Sequence, residues 1–193
     1  VVLVPLFTSV LYKKIPKLNV AVGVFLAFVG LSFLNGANFT SFNFGDLLTL
    51  IADLGFAFQI IFIDVFTSKE NIDTINLSII QLISSAIFYI AFLCIFKINL
   101  FNTAFTTVSI VTILITGIFG TALAFTAQVF VQKYTTPTHT ALIFSAEPVF
   151  GAIFSAIIPS VNNTVEILPL ISYVGCGLIL IGMIVAEINF RWS

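Results

Sequence analysis

Apolar residues run in long blocks along this chain, broken by short polar or turn-rich stretches, and do not alternate with polar ones at every second position. The blocks are Leu18–Leu34, Leu47–Phe66, Ile75–Phe96, Val108–Val131, Thr140–Ile158 and Ile167–Ile188, each of 17 to 24 residues. The breaks are Asn35–Asp46, Thr67–Thr74, Lys97–Thr107, Gln132–His139 and Pro159–Glu166. A helix needs about 20 mostly apolar residues to cross a hydrocarbon core roughly 30 Å thick, so the pattern predicts six full spans. In lipid a backbone must satisfy its own hydrogen bonds, which forces helices; the strands of a barrel would alternate. Val1–Tyr12 is apolar but only about 18 Å long as a helix, and it ends at Lys13-Lys14. A secretory signal carries its charges before the apolar stretch, and the single Met of the chain is Met183. This segment therefore reads as the tail of a span that begins upstream, in a longer membrane protein. The expected fold class is all-α, a polytopic transmembrane helix bundle of six full spans plus a partial first span.

Composition and charge sharpen that picture. The chain is 60% apolar and 8% charged, where soluble domains run at about 45–50% and about 25%. Fifteen charges cannot cover the surface of 193 residues, and a net charge of −1 gives no reason to expect a nucleic-acid partner. The partner implied is the lipid bilayer. Cys94 and Cys176 both lie inside apolar runs and support neither a disulfide framework nor a metal site. Lys13, Lys14, Lys17, Lys69, Lys133 and Arg191 fall on one side of the predicted topology and Lys97 on the other. By the positive-inside bias, the side holding the six, and the C-terminus with it, faces the cytoplasm.

Two distant blocks resemble one another. Val22-Gly23 and Val29-Gly30 enclose Val24-Phe25-Leu26-Ala27-Phe28, just as Val174-Gly175 and Ile181-Gly182 enclose Cys176-Gly177-Leu178-Ile179-Leu180. Glycines at this spacing let another helix approach closely. The two copies lie five spans apart and so cross in opposite senses, the mark of the inverted-topology repeats common in secondary transporters.

Charges inside spans cost about 2.5–3.5 kcal/mol each at the centre by insertion scales, which makes them functional candidates. Asp46, Asp53 and Asp64 share one face of their span, since 18 residues make five turns, and Thr49 joins them. Asp46 and Asp64 lie near the water interfaces; Asp53, about 9 Å inside, either lines an aqueous path or makes a structural hydrogen bond. In the fifth full span Pro148 follows Glu147 and clashes with the carbonyl of Phe144. A kink or break is expected there, with a freed carbonyl beside an acidic side chain about 10 Å from the cytoplasmic edge. Thr140, Glu147, Gly151 and Ser155 are expected on one face. A carboxyl in a low-dielectric site resists ionisation, which suits Glu147 to taking up and releasing a proton; a structural Glu bonded to a neighbouring helix is the alternative. Gly117, Thr121, Ala124 and Gln128 fall at helical spacing on one face of their span, as do Ser78, Gln81 and Ser85 on theirs. Such stripes serve either close packing or ligand contact. His139 has no second His or Cys nearby and reads as a surface residue. Asn38-Phe39-Thr40 and Asn162-Asn163-Thr164 match the glycosylation sequon but lie close to the predicted membrane surface.

Several segments resemble the EamA-type permeases of the drug/metabolite transporter superfamily. Gly45-Asp46-Leu47-Leu48 is similar to the start of that family's second repeat. Gly117-Ile118-Phe119-Gly120-Thr121-Ala122-Leu123-Ala124-Phe125, then Gln128 and Val131-Gln132-Lys133-Tyr134-Thr135, resemble the repeat's third helix and its exit. Thr140-Ala141-Leu142-Ile143 followed by Glu147-Pro148-Val149-Phe150 resembles its fourth-helix motif, and Glu166 stands where an acidic residue precedes the last helix. The departures are Phe56-Ala57 in place of Trp-Ala, a long approach over Ile158–Glu166, and Lys14 at a position acidic in the family's first repeat.

The resemblance implies residues 1–34 as the end of the first repeat, 35–44 as a linker, 45–188 as a complete five-helix second repeat and 189–193 as a cytoplasmic tail. It implies a ten-helix parent in which N-terminal helices of the same protein complete the bundle, and it leaves room for a homodimer. It further implies a permease in a plasma membrane, most readily a bacterial inner membrane. Its substrate would be a small polar metabolite or drug-like compound, exported by alternating access with protons as the coupling ion. The expected site is a midplane cavity lined by Asp53, Gln81, Thr121, Gln128 and Glu147, beside the break at Phe144 and Pro148. No cofactor, metal ion or enzymatic chemistry is expected, as no Ser–His pair, zinc signature or nucleotide loop occurs. The alternatives are a non-transporting membrane scaffold and a seven-span receptor, the latter without a Lys inside any span for a Schiff base.

Overall fold

The computed structural model of the chain describes residues 2–13, 15–34, 44–69, 72–97, 106–159 and 168–188. Every element among them is helical: α1 (Leu3–Tyr12), α2 (Leu18–Leu34), α3 (Phe44–Thr67), α4 (Thr74–Ile95), α5 (Thr107–Ile115), a π-helical segment (Thr116–Leu123), α6 (Ala124–Gln132), α7 (Pro137–Phe144), α8 (Glu147–Ile157) and α9 (Leu170–Glu187). Five runs are long and apolar enough to cross a membrane: Phe44–Thr67, Thr74–Ile95, Thr107–Gln132, Pro137–Ile157 and Leu170–Glu187. α2, with 17 residues, has the predicted bounds and spans about 26 Å. Large apolar side chains are exposed along nearly every helix. In water such a surface would aggregate, whereas in a bilayer it faces acyl chains. The protein is a multi-pass membrane protein.

The helix starts follow local chemistry. The Asp73 carboxylate accepts from the Ile75 amide at 2.9 Å and opens α4. Thr106 and Thr136 hydroxyls accept from the amides of Ser109 and His139, capping α5 and α7; each cap satisfies a donor the helix cannot. Pro137 then occupies the first turn of α7, where its missing N–H costs nothing.

Two compact units divide the chain. The first comprises Val1–Phe62 and Thr135–Ser193. Its core forms around α7: Leu142 packs with Val20, Val24, Ala27 and Ala186 of α2 and α9, while Ala141 packs with Val4, Ala57 and Ile60 of α1 and α3. Val149 of α8 packs on Cys176 and Ile179 of α9. α2 and α9 run antiparallel, with Gly23 against Gly182 and Gly30 against Gly175, so the two blocks matched in sequence are each other's packing partners. The second unit, Ile63–Tyr134, holds α4, α5, the π segment and α6, with α4 packed on α6.

The fifth full span is broken where Pro148 predicts. It begins at Pro137 and is two helices, interrupted at Ser145-Ala146. Thr140 is buried on α7 while Glu147 and Gly151 are exposed on α8, so the single polar face expected across them is not continuous. Pro148 is the reason, since it offers no N–H to the Phe144 carbonyl. The sequons at Asn38 and Asn162, together with Lys14, Glu166 and Arg191, lie outside the described residues.

Candidate functional site

The break in the fifth span is built from its own backbone bonds. The amide of Ser145 donates to the carbonyls of Ala141 and Leu142, both at 3.1 Å, and that of Ala146 to Ile143 at 3.0 Å, tightening the last turn of α7. The helix resumes when the Phe150 amide donates to the Ala146 carbonyl at 3.0 Å. Glu147 thus stands in the first turn of α8, where a helix start favours a negative charge.

On the other flank of the break, the ring of Phe144 meets Phe56 of α3 edge to face, with centroids 5.4 Å apart and planes at 78°. Asp53 lies three residues before Phe56, and Glu147 three residues after Phe144. One aromatic contact therefore joins α3, a turn after Asp53, to α7, a turn before Glu147. Asp53 and Glu147 are exposed, and Phe144 and Pro148 half-buried. Two exposed carboxylates and the Phe144 carbonyl, to which Pro148 offers no N–H, give these helices negative charge and acceptor atoms, suited to a group that brings protons or a positive charge.

Gln81, Thr121 and Gln128 belong to the second unit. There α6 buries Gln128 and Gln132, 7% and 1% exposed, with the Gln128 Nε2 donating to the Gln132 Oε1 at 3.4 Å. On α4, Ser78 is buried and donates to the Thr74 carbonyl at 2.8 Å, Gln81 is half-buried and Ser85 exposed. Thr121 is exposed, and the stripe of Gly117, Thr121, Ala124 and Gln128 does not hold together. Its spacing assumes 3.6 residues per turn. Residues 116–123 are π-helical, and a π turn takes in roughly one residue more, which offsets side chains across the segment by about 100°.

Sequence reasoning missed several polar contacts. Gln132 lies one turn beyond Gln128 and could have been found by that spacing. Asn19 of α2 donates through Nδ2 to the Ala186 carbonyl at 2.9 Å and the Ile188 carbonyl at 2.8 Å, and Ser172 of α9 donates to the Leu34 carbonyl at 3.2 Å. These bonds tie both ends of the antiparallel α2–α9 pair. His139, read as a surface residue, is half-buried and places Nε2 3.8 Å from the Glu187 carboxylate, with Nδ1 2.7 Å from the Thr136 hydroxyl. The described residues contain no grouping of three or more His, Cys, Asp or Glu that could hold a metal ion.

Comparison with known proteins gives two findings. The model of the EamA-like transporter family matches residues 43–187. A protein of Archaeoglobus fulgidus described as an uncharacterized transporter is 35% identical over 191 residues, covering 98% of this chain. The chain spans 58% of that relative's length. No solved structure matches.

Proposed function

This chain belongs to the EamA-like transporter family, and we propose that it acts as a permease that moves a small polar metabolite or drug-like compound by alternating access. The observation that supports the reading is the Phe56–Phe144 contact, which joins the helix of Asp53 to the broken fifth span that carries Glu147. Discontinuous helices with freed backbone groups are the usual building material of transporter sites. An exposed carboxylate facing lipid costs about 2.5–3.5 kcal/mol near the bilayer centre, and the same group facing a wet cavity avoids that cost.

Glu147 is the coupling group in this reading. Protonated, it tolerates a closed and dry site; ionised, it favours a state open to water. Asp53 shares the role, the aromatic edges contact the cargo, and export is the direction. The membrane is the plasma membrane, with the C-terminus on the cytoplasmic side, as the placement of the six basic residues suggests.

The test uses the full-length protein in liposomes that trap a pH-sensitive dye, challenged with a pool of small metabolites. The expected result is cargo-driven proton movement that falls at least about tenfold in Glu147→Gln, the loss of one step of about 1.4 kcal/mol. Proton movement unchanged in Glu147→Gln overturns the coupling role, and uptake or release of no compound from the pool overturns the permease reading.

A further inference from the structure

The second unit contains an eight-residue π-helical run, Thr116–Leu123, inside the 26-residue span Thr107–Gln132. π-helices otherwise occur mostly as single-turn bulges, frequently at functional sites. The switch of register can be followed bond by bond. The Thr116 amide still reaches the Thr112 carbonyl, four residues back as in an α-helix, and shares its hydrogen with Ile113, three back. The Ala124 amide reaches the Phe119 carbonyl, five residues back, and also the Thr121 carbonyl, three back. The Thr121 hydroxyl donates to the Thr116 carbonyl at 3.1 Å, again five back, whereas the Thr116 and Thr126 hydroxyls donate to Thr112 and Ala122, each four back, at 2.8 and 2.7 Å. Thr121 therefore bonds in a way only the wide register permits.

Among the described residues, little packs against this segment. A Cβ on Gly117 would meet nothing within 4 Å, and one on Gly120 only the Thr116 Cβ at 4.0 Å. No residue of α5 or of the π segment is buried, while α6 packs on α4 and has Gln128, Val129 and Gln132 buried.

We propose that Thr116–Leu123 is a rotary joint with two registers, the wide one held by the Thr121 hydroxyl and an α-helical one that turns α5 relative to α6 by about 100° for the one residue exchanged. In the α register Gly117, Thr121, Ala124 and Gln128 come onto one face and form an unbroken stripe. In the wide register the stripe is interrupted. The joint thus makes or breaks a polar track along the span while α6 stays seated on α4. It goes beyond the transport reading, and its test needs no cargo.

Spin labels on the full-length protein in nanodiscs provide that test, at exposed Phe88 of α4 and Val111 of α5 after replacement of the native cysteines. A side chain about 5 Å from the helix axis travels about 8 Å in a 100° turn. Two resolved distance populations are expected for the unsubstituted sequence. Thr121→Val is expected to deplete one of them about three- to tenfold, the worth of one hydrogen bond, while Thr126→Val leaves the ratio unchanged. A single population in the unsubstituted sequence overturns the proposal even if Thr121→Val fails to fold. So does a ratio that ignores Thr121→Val or that responds equally to Thr126→Val.

Discussion

Gly23 of α2 and Gly182 of α9 meet backbone to backbone: a Cβ built on Gly23 would lie 2.5 Å from the Gly182 carbonyl oxygen, and one on Gly182 would lie 2.6 Å from that of Gly23. Seven residues further along each helix, in opposite directions, Gly30 and Gly175 repeat the relationship at 2.6 Å. In each case the nearest obstructing atom is a main-chain carbonyl oxygen, which cannot swing aside. Without a hydrophobic drive between helices in lipid, such close van der Waals contact is the main source of their association.

Gly23→Ala or Gly182→Ala should therefore force α2 and α9 apart and destabilise the protein by about 1–3 kcal/mol, the usual cost of overpacking. Gly177→Ala, on the same helix α9 with nothing within 4 Å of its added Cβ, should be neutral or stabilising by up to about 1 kcal/mol, because alanine favours helix. Thermal unfolding of the three variants in detergent checks the contrast. Equal behaviour of Gly177→Ala and Gly182→Ala would show that the glycines act through helix propensity and not through contact.

The ends of the same pair are fixed by side chains. Asn19→Ala removes two hydrogen bonds to carbonyls at the end of α9, each worth about 0.5–1.5 kcal/mol net. The expected outcome is local fraying: faster amide exchange over the last turn of α9, with the glycine-packed middle unchanged. Exchange altered uniformly along α9 would place Asn19 in the global stability of the pair instead.

Much of this arrangement was legible beforehand, and the reasons for the rest are physical. The bounds of α2 and the break before Pro148 follow from span length and from a missing N–H, both local properties. The seven-residue glycine spacing announced two close-packing helices of opposite sense, but that Gly23 seats on Gly182 is a tertiary fact carried by no single segment. The stripe through Thr121 and Gln128 was misread because spacing arguments assume a uniform 3.6-residue turn, and a π segment leaves no pattern of apolar residues to betray it. Asp53 and Glu147 were visible as charges inside apolar runs; their common neighbourhood depends on Phe56 and Phe144, two among 23 Phe residues with nothing in the sequence to mark them out.

His139 and Glu187 link the start of α7 to the end of α9 at 3.8 Å, but the Glu187 side chain is 69% exposed. Exposed pairs of this kind are worth about 0–1 kcal/mol. Glu187→Gln should change the unfolding free energy by less than about 1 kcal/mol, well below the effect of Gly23→Ala, when both are measured by the same denaturation series. A larger loss would mean that Glu187 carries the junction of α7 and α9 and not merely its rim.

Pro148→Ala tests whether the break itself matters. Pro148 sits in the first turn of α8, where proline is tolerated; alanine there restores an N–H that can donate to the Phe144 carbonyl, a bond worth about 0.5–1.5 kcal/mol. The fifth span should then become one continuous helix, with slowed amide exchange across residues 145–149 and higher thermal stability. Straightening it would also carry Glu147 away from the end of the Phe56–Phe144 contact, because the turn that now separates α7 from α8 would be wound into the helix. If the site depends on that turn, the more stable protein moves its cargo more slowly, a stability gain with a functional loss. Stability and transport rising together would mean that the proline is a defect that the protein tolerates, and that Glu147 acts from an unbroken helix.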